Sequence, residues 1–93
     1  MVEVIKFGAE WCGPCKMMKP TIQKLEEKYN VEGSDVKITS IDVDEDKRLA
    51  VKYGVRNIPT IIFVKEDNEV EGTRKVGLRS MDEIEGVLET LKN

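Results

Sequence analysis

Residues 2–29 read VEVIKFGAEWCGPCKMMKPTIQKLEEKY, and this stretch decides the fold. Val2 to Phe7 is rich in β-branched and aromatic residues, which predicts a short strand. Gly8 to Pro14 breaks it. Pro14 suits the first turn of a helix, because the N–H it lacks would have had no intrahelical partner there. Cys15, Met18, Ile22, Leu25 and Tyr29 then recur at spacings of three and four. They make one apolar stripe on a helix from about residue 13 to about residue 29. Pro20 lies inside that helix and should bend it, since it removes one hydrogen bond and crowds the preceding turn.

Downstream, Val31 to Asp35 is a loop, and Val36 to Val43 predicts a second strand with apolar Val36, Ile38, Ile41 and Val43. Strand, helix and strand in that order make a βαβ unit, so these strands should be parallel and joined by a right-handed crossover. Asp44, Glu45 and Asp46 put negative charge at the start of a short helix, where the helix dipole favours it. Leu49, Ala50 and Tyr53 form its buried face, and Gly54 stops it. Val55 to Ile58 connects to Pro59, and Thr60 to Val64 is a dense apolar strand. Residues 65–69 are a polar turn. Val70 to Val76 is the antiparallel return strand, whose charges suit a sheet edge. Ser80 and Glu83 form a capping box, and Ile84, Val87, Leu88 and Leu91 mark a last helix. The order β-α-β-α-β-β-α predicts an α/β fold with a four-stranded mixed sheet flanked by three helices, one domain over residues 1–93.

Composition narrows the class. Of 93 residues, 40% are hydrophobic and 35% charged, as in ordinary soluble globular proteins. Neither a bilayer-spanning apolar run nor a signal peptide is visible. A net charge of -3 matches nucleic acid poorly, so neither membrane nor nucleic acid is an expected partner. The chain has no histidine, the commonest general base and metal ligand, and two cysteines, Cys12 and Cys15.

At a helix start, residues three apart lie on one face, so the two sulfurs can close a disulfide with little backbone movement. Free N–H groups and the positive end of the dipole converge on Cys12 and stabilise a thiolate there. Cys15 sits on the apolar stripe, where burial disfavours its charged form. Unlike thiols give an asymmetric reaction: Cys12 attacks a target disulfide, and Cys15 then attacks Cys12 and releases the reduced target. Gly13 leaves the approach to sulfur open, and Pro14 stiffens the turn. Three blander readings compete. The pair could be inert core, a structural disulfide, or half a zinc site completed by carboxylates or a second chain in a metal-bridged dimer.

The run Trp11-Cys12-Gly13-Pro14-Cys15-Lys16 resembles the active-site motif of the thioredoxin family. Phe7 and Ala9 precede it, and Pro20 follows it, as that family has them. Lys52-Tyr53-Gly54-Val55, leading to Ile58-Pro59-Thr60, is similar to the family's cis-proline segment. Lys75-Val76-Gly77 resembles its turn before the last helix. The resemblance implies a redox-active Cys12–Cys15 disulfide in a thioredoxin-like fold, with Cys12 as nucleophile and Cys15 as resolving thiol. It implies a cis Ile58–Pro59 bond, and a platform of Trp11, Gly13, Pro14, Ile58 and Gly77 around Cys12 for an extended substrate segment. It further implies a monomer that reduces protein disulfides with no bound cofactor and no metal. Electrons would come from a thioredoxin reductase using NADPH and flavin, in a reducing cytoplasm, as part of cellular redox homeostasis.

Two features depart from the family pattern. The chain starts at what would be the family's second element, without the leading β-α unit, like the short glutaredoxin-sized thioredoxins. Lys6 stands where the family usually carries a buried acid, and Ser40 where it usually carries a lysine. Lys6 could exchange a proton with Cys15 or stabilise its thiolate, or it could simply snorkel to solvent. Lys16 and Lys19 read as a solvated helix face. Two other functions stay open: a glutaredoxin-like enzyme recharged by glutathione, and a non-catalytic accessory protein using the same platform for binding.

Overall fold

Strand β1 (Val2–Gly8) runs through the middle of the sheet. It pairs in parallel with β2 (Val36–Asp42) on one side and antiparallel with β3 (Thr60–Lys65) on the other. The structure, a computed structural model, describes residues 1–92. Beyond β3 lie two short strands, β4 (Asn68–Glu69) and β5 (Lys75–Val76), both antiparallel to β3. The helical segments are α1 (Gly13–Met17), α2 (Lys19–Tyr29), α3 (Lys47–Lys52) and α4 (Met81–Leu91).

Side-chain alternation sorts the layers. Val2 and Val4 of β1 face one side, with Val36 and Ile38 of β2 and Ile61 and Phe63 of β3. Met18, Ile22, Leu25 and Tyr29 pack onto this face, joined by Ile84 and Leu88 from α4. Ile5 and Phe7 face the other way with Ile62 and Val64, closed by Leu49, Ala50 and Tyr53. Each fully buried side chain of this size contributes about 1.5–3 kcal/mol, so these two cores, more than local propensity, hold the short helices in place. α4 carries the capping box at its start, with Glu83 N–H donating to Ser80 Oγ at 3.2 Å and Ser80 N–H to Glu83 Oε1 at 3.3 Å.

The single bent helix expected over residues 13–29 is two helices. Met18 shares its N–H between the Pro14 and Cys15 carbonyls, at 3.2 and 3.1 Å. Pro20 has no N–H to continue the ladder, so it sits in the first turn of α2 and not within one helix. The sequence therefore gives four helical segments where three were expected.

The return strand expected over residues 70–76 is also corrected. Glu66 and Asp67 both take positive φ, 54° and 67°, which makes the turn tight enough for pairing to start at Asn68 opposite Lys65. The chain leaves the sheet after Glu69, turns at Gly72 (φ 80°), and pairs again where Lys75 meets Ile61. Arg74 bridges the gap. Its Nε and Nη2 hold the Glu69 carboxylate at 2.9 and 2.6 Å, and Nη2 also donates to the Tyr53 carbonyl. The fourth sheet position is thus filled by two fragments. Among the described residues, no helix is long and apolar enough to cross a membrane.

Candidate active site

α1 begins where β1 ends, at the carboxyl end of two parallel strands. Cys12 is its N-cap, with extended backbone (φ -90°, ψ 112°), and its Sγ accepts the Cys15 N–H at 3.2 Å. A sulfur in this position takes the place of the side-chain oxygen that caps most helices, so negative charge on it is met by a backbone donor. The two cysteines are joined as a disulfide with Cα atoms 5.2 Å apart.

The expected contrast in exposure between the two cysteines is small in this oxidised state, since Cys12 is 5% exposed and Cys15 2%. Both cysteines pack in an apolar patch with Ala9, Val43 and Ile58. Gly13, next to Cys12, is open: an added Cβ there would meet nothing within 4 Å.

Ile58 and Pro59 border the disulfide. The Ile58–Pro59 bond is cis, and the Ile58 carbonyl oxygen lies 3.9 Å from Cys12 Sγ. Gly77, at φ 94°, donates its N–H to the Pro59 carbonyl at 2.8 Å. β5 and the proline segment are thereby held together beside the sulfur. Trp11 is 70% exposed, yet its Nε1 donates to Asp44 Oδ2 at 2.8 Å. Reading the sequence assigned Asp44 to the start of α3 and missed this bond. Asp46 is the residue that caps α3, accepting the Leu49 N–H at 3.2 Å. Trp11 and Asp44 are 33 residues apart, and no local pattern links them.

Behind the disulfide lies Lys6. Alternation places it on the same face as Val2 and Val4, so it points beneath α1 and does not snorkel to open solvent; it is 8% exposed. Burial pushes its ammonium below the usual lysine value, and Lys19 adds to this. Asp42 and Glu26 pull the other way. Its strand partner is Ser40. Lys6, Cys15, Ser40 and Asp42 all line one open cavity of about 220 Å³. Lys16 and Lys19 lie exposed on its rim.

Chemically, the site presents a dithiol/disulfide pair at a capped helix start, an apolar shelf with the Ile58 carbonyl beside the sulfur, and a cavity behind the second sulfur lined by charged groups. The thioredoxin family model matches residues 2–90. A thioredoxin of Chlamydia caviae is 43% identical over 81 residues, covering 87% of this chain and 74% of that protein. A thioredoxin of Bacillus subtilis is 44% identical over 70 residues, covering 75% of this chain and 64% of its own length. The crystal structure of a thioredoxin from Nicotiana alata superposes with a TM-score of 0.84 at 40% identity, covering 99% of this chain and 74% of the other. Thioredoxins carry out their redox chemistry without a bound cofactor. With the family model spanning nearly all of the sequence and the Cys12–Cys15 pair in the position of its active site, the chain belongs to the thioredoxin family and is a thiol–disulfide oxidoreductase.

Proposed function

We propose that this chain works as a protein-disulfide reductase, a single domain over residues 1–93 acting as a monomer in a reducing cytoplasm. Cys12 is the nucleophile. Its thiolate attacks one sulfur of a target disulfide, and the other target sulfur leaves as a thiolate. Cys15 then attacks Cys12 in the mixed disulfide, the Cys12–target bond breaks, and the target is released with two more electrons than it brought. Trp11, Gly13 and Pro14 frame the approach to Cys12. Ile58, Pro59 and Gly77 form the edge against which an extended target segment lies, with the Ile58 carbonyl as a backbone acceptor. A thioredoxin reductase, drawing on NADPH through a flavin, returns the pair to the dithiol and so makes the protein an electron carrier in cellular redox homeostasis.

The observation that carries this reading is the Cys12 sulfur at the start of α1, capped by the Cys15 N–H at 3.2 Å and paired with Cys15 as a disulfide. Trapping tests it. A Cys15→Ser chain should retain target proteins as mixed disulfides through Cys12, released by dithiothreitol. Equal recovery from a Cys12→Ser, Cys15→Ser chain would reject Cys12 as nucleophile.

A further inference from the structure

α3 reads Lys47-Arg48-Leu49-Ala50-Val51-Lys52, and its two faces differ. Leu49 and Ala50, with Tyr53 after them, close the core over Ile5, Phe7, Ile62 and Val64. Lys47, Arg48, Val51 and Lys52 are exposed, Val51 at 79%. Residues three and four apart are neighbours on a helix, so Arg48 has both Val51 and Lys52 beside it. Arg48 and Lys52 also line an open recess of about 420 Å³ together with Asp46 and Leu49.

This arrangement works against the helix. Two cations at i and i+4 repel each other. Lys47 and Arg48 stand in the first turn, where the helix dipole disfavours positive charge, and no acidic residue shares that turn. The acids just before α3 are engaged elsewhere: Asp46 Oδ1 accepts the Leu49 N–H at 3.2 Å, and Asp44 Oδ2 accepts the Trp11 Nε1–H at 2.8 Å. Among the described residues, the ion pairs are made by Lys28, Arg74, Arg79 and Lys92, and none by the three cations of α3. Lys52 lies over the Tyr53 ring, 5.2 Å from its centroid. A chain of net charge -3 thus concentrates three cations without carboxylate partners on one short helix, around an exposed valine.

α3 adjoins the disulfide through the segments on both its sides. Val43, shortly before it, and Ile58, shortly after it, belong to the apolar patch around Cys12 and Cys15. We infer that the face made by Lys47, Arg48, Val51 and Lys52 is a docking surface for protein targets, and that it favours targets with carboxylates close to the reactive disulfide. This assignment rests on the chain being a reductase of protein disulfides. A target carboxylate between Arg48 and Lys52 relieves their repulsion, and Val51 supplies an apolar contact within a charged rim. Glu10, Asp44 and Glu45, around Trp11, carry the opposite sign. A target with acids on one side of its disulfide is therefore drawn to α3 and repelled from the Trp11 side, which fixes the direction in which it lies.

Two synthetic peptides test this. Each holds one cysteine as a mixed disulfide with 2-mercaptoethanol, flanked by glutamates in one peptide and by glutamines in the other. The rate of reduction by the pre-reduced chain is divided by the rate with dithiothreitol, which removes the effect of the glutamates on the disulfide itself. At low ionic strength the glutamate peptide should react about tenfold faster, and added salt should erode the preference. A chain with Lys47→Gln, Arg48→Gln and Lys52→Gln should lose the preference, and Arg48→Glu with Lys52→Glu should reverse it. If the triple variant does not unfold cooperatively, Arg48→Gln alone should cut the preference about threefold. Equal rates in the parent chain, or a preference that survives neutralisation of α3, overturn the docking surface and leave the reductase reading intact. A parent chain that reduces neither peptide, and whose Cys15→Ser form traps no target, rejects the reductase reading and the docking surface with it.

Discussion

Trp11 and Asp44 are joined across the mouth of the site, indole Nε1 to carboxylate Oδ2 at 2.8 Å, although the ring itself is 70% exposed. The bond ties the loop before α1 to the loop after β2. In the proposed reductase, an exposed aromatic ring held in this way would offer a docking target a fixed apolar surface at a lower ordering cost.

Releasing the ring should be visible because Trp11 is the chain's sole tryptophan. Asp44→Ala should lower the steady-state fluorescence anisotropy of Trp11 and cost no more than about 1 kcal/mol in urea unfolding, since the bond is exposed. Unchanged anisotropy would mean that packing, and not Asp44, orients the ring.

Gly8 is required by space. Gly8→Ala would place a methyl group 3.0 Å from Lys6 Nζ and 3.2 Å from Cys15 Sγ. The lysine end can swing away, but the sulfur is fixed by its disulfide. We expect a loss of about 1–3 kcal/mol in chemical denaturation of the oxidised chain. A variant as stable as the parent would show that α1 yields more easily than the geometry indicates.

Lys6 also links stability to pH. Its folded-state value is lowered, chiefly by burial, so the unfolded chain binds the proton more tightly. Protonated Lys6 therefore costs stability at neutral pH. That cost disappears as pH rises through the folded value toward the unfolded 10.5. Oxidised Lys6→Met lacks this dependence. The stability difference, Lys6→Met minus parent, should shrink as pH rises toward 10.5 in urea titrations. A widening difference would contradict the burial argument.

Asn30 closes the outer edge of β2. Its Nδ2 donates to the Ile38 carbonyl at 2.9 Å and its Oδ1 accepts the Ile38 N–H at 2.7 Å. Ser34 Oγ does the same for Val36, accepting its N–H at 3.1 Å and donating to its carbonyl at 3.0 Å. Four backbone groups that could pair with another strand are thus occupied by side chains. Asn30→Ala combined with Ser34→Ala should cost about 1–3 kcal/mol and raise the tendency to self-associate on a sizing column. A monomeric, equally stable double variant would assign these bonds no protective role.

Much of this was legible in the residues because it depends on local periodicity. Cys15, Met18, Ile22, Leu25 and Tyr29 do form one buried stripe, even though Pro20 divides its helix. Ser80 and Glu83 announced the start of α4. The return strand misled because its composition suits an edge, while Gly72, which marks the departure from the sheet, sits inside an otherwise extended run. Reading the residues left Lys6 open between burial and snorkelling; its parity with Val2 and Val4 places it under α1 in the folded sheet. The cavity it shares with Asp42 was not legible, because that depends on how α1 lies over two strands at once. Distant bonds such as Trp11 to Asp44 follow from the finished fold.

The hairpin at Glu66 and Asp67 lies at the far end of β3 from the cysteines. Lys65 beside it pairs with Val2, and its Nζ donates to the Leu91 carbonyl at 3.0 Å. These bonds tie this pole together at the opposite end of the sheet from the cysteines. A bead, an electrode linker or a grafted peptide joined at the hairpin tip would leave the dithiol pointing outward, which makes this end the natural handle for immobilising the protein.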